Sequence, residues 1–477
     1  MRSIHPLGVL PSGNALVDHV SARERHERRA RGLGALACLD DATLLGVLDV
    51  LTRDDDGARA LARLACASRA MRAFATHEDL WKAATLERHG GRFAFGGRSW
   101  RETYARAAAG TREAGRKRRL EEDGEESVVR AEIYSDVLYQ RYMCAEMELE
   151  PEWTDASTST VPEAEAATLS LDEFRTKFES LNLPVVIRGG CKHWPAMKKW
   201  TRAWLSKTYG ATDFVVGGYD MTLNDFFAVC DGARDDVPLY LFDPKFGEKA
   251  PELASDYEVP EYFATDDLFK LLHERPHHRW LIIGPAKSGS IFHQDPNATS
   301  AWNAVVSGRK KWVMFPPTVT PPGVHPSADG ADVAQPLSIV EWFANFYDAD
   351  DSKRRLECVC EPGDVLFVPS GWWHLALNLT ECIAVTQNFV SRANLRKVLA
   401  FLDSKCENLV SGVDKNRRRG LGDDFSAAIR ASEDAELIAI LDAHERAKSS
   451  ARKSSSAVAD AFAAASSNSF AFAFAAS

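Results

Sequence analysis

The chain lacks any uncharged apolar run close to the ~18 residues that a membrane-crossing helix needs, so no membrane span is expected. No apolar core follows the first positive charges, which argues against a secretory leader. None of the nine cysteines forms a CxxC pair; the closest two are Cys358 and Cys360. That spacing argues against a zinc module or a disulfide framework and leaves buried thiols in a reducing, intracellular compartment as the expectation. Internal repeats are also missing.

What remains is a chain of 477 residues, 45% hydrophobic and 26% charged, which is ordinary globular composition with room for two to four domains. The net charge is −10, and the acidic excess sits in residues 131–400 while the flanks are net basic. An acidic central region suits basic partners better than a nucleic-acid backbone. The clusters Asp231/Asp235/Asp236 and Asp348/Asp350/Asp351 are accordingly expected at the rim of any active site there.

Residues 1–33 show neither helical nor strand periodicity and read as a flexible N-terminus. A compact helical region spans 34–106. Leu39, Leu44, Leu45, Leu48 and Leu51 recur at helical spacing after Asp40-Asp41, and a second stripe runs through Leu61, Leu64, Ala65, Ser68 and Met71. Residues 107–130 form a charged linker. Its Arg116-Lys117-Arg118-Arg119 run is either a nuclear-import signal or a plain solvated stretch.

From residue 131 to about 400 the texture changes to short strands. Pro184–Arg188, Trp280–Ile283, Lys311–Phe315, Val365–Val368 and Cys382–Phe389 are punctuated by Gly and Pro, and Ser170-x-x-Glu173 is a capping box ahead of the first. The pattern predicts a mostly β domain, a double-sheet jelly roll with flanking helices. Helical periodicity returns over 401–445, and 446–477 reads as a disordered Ala/Ser tail.

The densest chemistry lies in that β domain. His293-Gln294-Asp295 places imidazole and carboxylate on one face of a strand, where i and i+2 point the same way. A second His-x-acid pair, His77-Glu78-Asp79, has no further ligand near it and reads as a helix start. The first pair gains a partner downstream: Pro362-Gly363-Asp364 turns into a buried strand, and Pro369 to Trp373 form a corner leading to His374. Two histidines and one carboxylate with open positions are the ligand set of non-haem Fe(II) oxygenases. A zinc hydrolase is disfavoured, because no evident general base accompanies the ligands. An Fe(II) centre of this kind takes a chelating 2-oxo acid whose distal carboxylate needs a buried cation and a hydroxyl. Lys310 and Thr386 supply those groups.

The stretch Trp280 to Asn303, with Gly284-Pro285, Ser288-Gly289, His293-Gln294-Asp295-Pro296 and Thr299-Ser300-Ala301-Trp302-Asn303, resembles the Jumonji C oxygenases. It is most similar to the arginine demethylase/lysyl hydroxylase branch once called phosphatidylserine-receptor-like. Pro238 to Asp243, Asp266 to Phe269, Trp372-Trp373-His374 and Thr386 to Phe389 extend the match over about 170–400. The resemblance implies a double-stranded β-helix of cupin type, with iron held by His293, Asp295 and His374. It also implies 2-oxoglutarate held through Lys310, Thr386 and Tyr240, with Asn303 and Asn388 as polar contacts near the metal. The implied activity is hydroxylation of lysine or demethylation of methyl-arginine in basic proteins such as histone tails or Arg/Ser-rich factors, in the nucleus, with the cytoplasm as a second compartment. The helices after Asn394 resemble that branch's dimerising segment, so a homodimer is implied.

Residues 36–104 resemble an F-box, with Leu39-Asp40-Asp41, Val47-Leu48, Leu51, Leu80-Trp81 and Ser99-Trp100 in place. That likeness implies a Skp-type adaptor and a cullin ubiquitin ligase as partners, with the contact expected near Leu48 and Leu51. An alternative function follows: an F-box substrate adaptor that uses the barrel as a receptor.

Overall fold

The computed structural model describes residues 5–54, 56–97, 99–109, 130–264, 266–349, 354–403 and 407–466. The charged run 116–119 and residues 467–477 lie outside these. Among the described residues no helix is long and apolar enough to cross a membrane.

The start of the chain is structured where flexibility was expected. Helix Ala22–Leu33 begins at Ser21, whose hydroxyl accepts from the Glu24 amide (3.1 Å), and Arg23–Glu27 (2.9 Å) and Arg28–Glu24 (2.7 Å) pair along it. A helix held by ion pairs and caps carries no apolar stripe, so a search for hydrophobic period cannot find it. Arg29 fastens it to the next helix through Asp41 (2.5 Å) and the Leu39 carbonyl oxygen (2.6 Å).

Five helices then form the small α domain: Asp41–Thr52, Gly57–Ala65, Arg69–Ala75, Glu78–His89 and Trp100–Ala109. Leu44, Leu48, Leu61, Phe74, Trp81 and Trp100 are buried in its core. The stripe from Leu61 to Met71 is two helices, because the Ser68 hydroxyl accepts from the Met71 amide (2.9 Å) and starts a new one. His77 is likewise the N-cap of Glu78–His89, its Nδ1 accepting from the Asp79 amide at 3.3 Å. Its role there is capping, as its sequence context suggests.

The β domain is built on two facing sheets, with a separate two-stranded ribbon of His325–Pro326 against Val333–Ala334. The larger has nine strands in the order Glu163–Glu165, Val185–Arg188, Val365–Val368, Ser300–Ser307, Cys382–Phe389, Arg279–Gly284, Leu241–Asp243, Asp213–Val216 and Tyr219–Thr222. The smaller runs Leu356–Cys360, Lys310–Phe315, Trp373–Asn378, Gly289–His293. Only the outermost pair of the large sheet is parallel; its other pairings, and all those in the small sheet, are antiparallel. Side chains from both sheets, including Val186, Val305, Trp312, Met314, Leu366 and Val368, pack into one cluster between them. This is the expected jelly roll. The capping box Ser170/Glu173 is present at the helix Leu171–Phe174.

The α domain is joined to the barrel by buried polar contacts. Lys82 pairs with Asp235 (2.9 Å), the Trp100 indole donates to the same carboxylate (2.9 Å), and Arg141, in the intervening helix Asp136–Glu146, pairs with both Asp79 (3.4 Å) and Asp236 (2.7 Å). At the other end, helices Leu395–Asp403, Leu421–Ala431 and Ala435–Ser466 pack around Leu268 and Phe269. The first of these crosses the boundary drawn at residue 400, since Leu395, Val398 and Leu399 belong to the same cluster as Leu421 and Phe425. The third extends through 446–466, part of the segment read as a disordered tail; alanine, common there, has the highest helix propensity of any residue.

Candidate metal centre

Strands Gly289–His293 and Trp373–Asn378 are antiparallel neighbours, and His374 lies directly opposite His293. Their ring centroids are 4.2 Å apart. Each Nδ1 is 2.8–3.0 Å from a carbonyl two residues earlier: His293 from Ile291 (2.8 Å) and His374 from Trp372 (3.0 Å). A ring whose Nδ1–H donates to a carbonyl presents Nε2 as a lone-pair donor, the tautomer a metal requires. Burial, then the neighbouring His293, holds His374 well below the usual imidazole range, so it is neutral.

Asp295 corrects one detail of the sequence argument. It does not share a strand with His293: the strand ends at His293, and Asp295 opens the short 3-10 turn Pro296–Ala298. The turn brings its carboxylate back, so that His293, Asp295 and His374 offer ligand atoms all within 4.8 Å of one another. Asn388 donates to Asp295 Oδ1 (3.0 Å) and to Thr299 Oγ1 (2.8 Å). Asp295 Oδ2 is buried with no hydrogen-bond partner. A buried carboxylate oxygen left without a donor is costly unless a cation completes it. Two free imidazole nitrogens and that oxygen therefore fit a divalent metal. The loop is pinned across the site by Gln294, whose amide donates to the Gly371 carbonyl oxygen (2.7 Å). Gly371 itself has φ +79, which the corner before His374 requires and which L side chains rarely adopt.

One cavity of about 680 Å³ is lined by His293, Asp295 and His374 together with Tyr240, Asn303, Lys310, Thr386 and Asn388. All eight sequence-derived site residues thus meet in one place. Strand alternation separates Lys310 from its neighbours. Lys311 points the other way, to Glu357 (2.7 Å), and Arg309 pairs with Glu361 (2.8 Å), while Lys310 enters the cavity with 1% exposure. The groups that act on Lys310 are Tyr240, Cys382 and Cys360, with no carboxylate among them. Burial pushes the Tyr240 phenol up, so it stays neutral beside the ammonium. Tyr240 reaches this position because Gly284 leaves room: a Cβ there would come within 2.5 Å of the ring. Thr386 lies opposite Asn303 in the sheet, with Oγ1 donating to the Trp302 carbonyl oxygen (2.8 Å), and Asn303 Oδ1 is buried without a partner.

The acidic rim is not there. Asp235 and Asp236 are sunk in the seam with the α domain, Asp231 pairs with Arg202 (2.7 Å), and none of them, nor Asp348, lines the cavity. Asp350 and Asp351 lie outside the described residues. Sequence reasoning also missed Phe242, Trp280 and Trp312 as lining residues. For Trp312 the signal existed, since it is i+2 from Lys310 on one strand and must share its face.

Comparison with known proteins agrees with this geometry. Residues 171–394 match the family model described as a cupin-like domain. The chain is 47% identical to the Arginine-specific demethylase JMJ22 of Arabidopsis thaliana over 88% of its own length and 80% of that protein. It is 37% identical to the Lysine-specific demethylase JMJ21 of the same plant, over 78% of this chain but 38% of that longer one. Identity is 39% to the Bifunctional arginine demethylase and lysyl-hydroxylase psr-1 of Caenorhabditis briggsae, over 50% of this chain and 64% of that one. With its two-sheet barrel, its His-Asp-His triad and this overlap, the chain belongs to the cupin-like Jumonji C family of oxygenases.

Proposed function

We propose that the chain is an Fe(II)- and 2-oxoglutarate-dependent protein oxygenase that demethylates methyl-arginine or hydroxylates lysine in basic proteins. The observation that carries the reading is the pairing, in one cavity, of a three-ligand metal set with a buried lysine that has no carboxylate of its own. A buried cation without an anion is a site prepared for an anionic ligand. His293, Asp295 and His374 would hold the iron, and three protein ligands leave coordination positions open. When bound, the metal and 2-oxoglutarate supply the oxidising power for attack on a C–H bond, a chemistry that no side chain here has.

The remaining work belongs to this chain's residues. Lys310 and Tyr240 would hold the distal carboxylate of 2-oxoglutarate, and Thr386, whose hydroxyl donates to the Trp302 carbonyl oxygen, would offer a hydroxyl on the same wall. Asn388 fixes the rotamer of Asp295 and so acts as a positioning residue, and Asn303 Oδ1 offers an unused acceptor on the same wall. Trp312 and the apolar lining exclude water from the reacting atoms. The basic cluster 116–119 supports placing the activity in the nucleus.

Adaptor binding by the F-box-like helices has narrower support. Leu48 is a core residue at 1% exposure, so an adaptor would have to meet Val47 and Val50, which the same helix leaves exposed. The deciding experiment is mass spectrometry of histone and Arg/Ser-rich peptides incubated with the chain, Fe(II) and 2-oxoglutarate. Succinate formation with peptide-linked loss of a methyl group or gain of oxygen is expected. Turnover confined to small molecules would overturn the protein-substrate reading.

A further inference from the structure

The turn that carries Asp295 into the metal set has a costly backbone. Within Pro296–Ala298, Asn297 has φ 57° and ψ 23°, and Ala298 follows with φ 54°. L side chains rarely enter the left-handed region, and then singly; two in succession persist only where the surroundings hold them. The exit of the turn is held within the β domain. Ser370 Oγ donates to the Ala298 carbonyl oxygen (2.6 Å), and Thr299 Oγ1 donates to that of Pro296 (2.8 Å). The middle of the turn is held from elsewhere. Asn297, 4% exposed, donates through Nδ2 to the Ser411 carbonyl oxygen (2.9 Å), and its Oδ1 accepts from the Ser411 amide (3.0 Å). Both ends of one side-chain amide are thus bound to the backbone of a single residue. That residue is itself fixed on both sides. Val410 is buried with Leu395 and Leu421 in the C-terminal helical cluster. The His277 amide donates to the Gly412 carbonyl oxygen (2.8 Å), and a Cβ on Gly412, at φ 79°, would come within 2.9 Å of the His277 nitrogen.

We propose that Asn297 is a positioning residue for the metal ligand Asp295, and that residues 410–412 complete the metal centre from the C-terminal helical region. The proposal rests on the metal reading above. Residue 411 lies beyond 171–394, the stretch that matches the cupin-like domain, so the barrel alone does not hold its own ligand turn. Metal–ligand distances tolerate only about 0.2 Å, so a small relaxation of this turn is enough to withdraw the Asp295 carboxylate from the two imidazoles. Asn388 orients that carboxylate directly, whereas the Asn297–Ser411 clasp fixes the backbone from which it projects.

The test is calorimetric titration of the full chain with Mn(II). Asn297→Gly removes the clasp and suits the left-handed backbone. Gly412→Ala breaks it from the far side and leaves Asn297 in place. Each variant is expected to weaken Mn(II) binding about tenfold, and the double variant to be no weaker than the poorer single one, because the clasp can be lost only once. A merely structural role would lower Tm and leave the Mn(II) affinity of the folded chain at its wild-type value; that result overturns the proposal, and so do additive losses. The wild-type chain supplies an independent test. Coupling is reciprocal, so saturating Mn(II) should slow hydrogen exchange of the Ser411 amide about tenfold, and unchanged exchange there overturns the clasp. Failure of the underlying metal reading looks different: the wild-type chain would take up no Mn(II), whereas a failed clasp leaves wild-type uptake intact and both variants equal to it.

Discussion

Lys310 offers two effects of opposite sign in one substitution. Its ammonium is 1% exposed, and the three groups acting on it are a phenol and two thiols. Burial pushes both Tyr240 and Cys382 up, and a hydrogen bond from Cys358 together with burial pushes Cys360 up, so all three are neutral. The cation thus lacks an anionic partner until a dicarboxylate arrives. Lys310→Met keeps the length of the side chain and its packing against the Trp312 ring, 5.7 Å from Nζ, and removes the charge together with its hydrogen bond to Tyr240. Exchanging buried charge for well-packed apolar volume is neutral to stabilising, on the order of 1–2 kcal/mol here, or about 2–4 °C in Tm for each kcal/mol. The same change deprives the distal carboxylate of its buried partner, a loss of about 2–5 kcal/mol, so 2-oxoglutarate affinity falls at least about thirtyfold. Thermal scans of the Mn(II)-loaded chain with and without 2-oxoglutarate read both terms. The variant should start at or above the wild-type Tm and gain little from the ligand. A full wild-type gain on adding 2-oxoglutarate would remove Lys310 from the pocket, and a large fall in the starting Tm would show that the ammonium has a stabilising partner after all.

Three further outcomes can be checked alongside. His374→Ala should abolish succinate formation with Tm near wild type, whereas His77→Ala, which removes only a helix cap, should lose about 1 kcal/mol of stability and no turnover; succinate at the wild-type rate in His374→Ala would dismiss the metal assignment. Asn388→Ala strips the donor from Asp295 Oδ1 and should weaken Fe(II) binding about 10- to 100-fold, read by metal titration. Glu78, in the seam between the domains, is raised by burial to about 7, so between about 4.5 and 7 the folded chain holds a proton that the unfolded chain has released. This group's contribution to stability therefore falls as pH rises through that window. Glu78→Gln keeps an acceptor for the Trp100 amide (2.6 Å), and should stabilise the protein by about 1–3 kcal/mol at pH 8 and hardly at all at pH 4.5; equal gains at both pH values would refute it.

The barrel was legible because its central strands are apolar runs bounded by Gly and Pro, and all five expected strands lie within a residue of their place. Elements that rely on polar contacts were not. Ala22–Leu33 is fixed by Ser21 and two ion pairs, and the break at Ser68 depends on a hydroxyl whose alternative, continuing the helix, has the same apolar spacing. The extra strands Asp213–Val216 and Tyr219–Thr222 extend the large sheet at its edge, where four-residue strands leave too little pattern to read.

The site shows where one-dimensional reasoning stops. Ligand identity follows from residue type, and the choice of Lys310 over Lys311 follows from alternation once the strand is set. Net charge does not carry that far. Asp235 and Asp236 look like a surface cluster in sequence, yet Lys82 and Trp100 of the α domain and Arg141 of helix Asp136–Glu146 draw them into the seam, from 153, 135 and 95 residues earlier in the chain. Phe242 and Trp280 present the reverse case. Aromatic residues on strands look like core, and alternation says only that Phe242 and Leu241 face opposite ways. Which face meets Trp280 is set by pairing with strand Arg279–Gly284, about forty residues later in the chain, where Phe242 lies opposite Ile282.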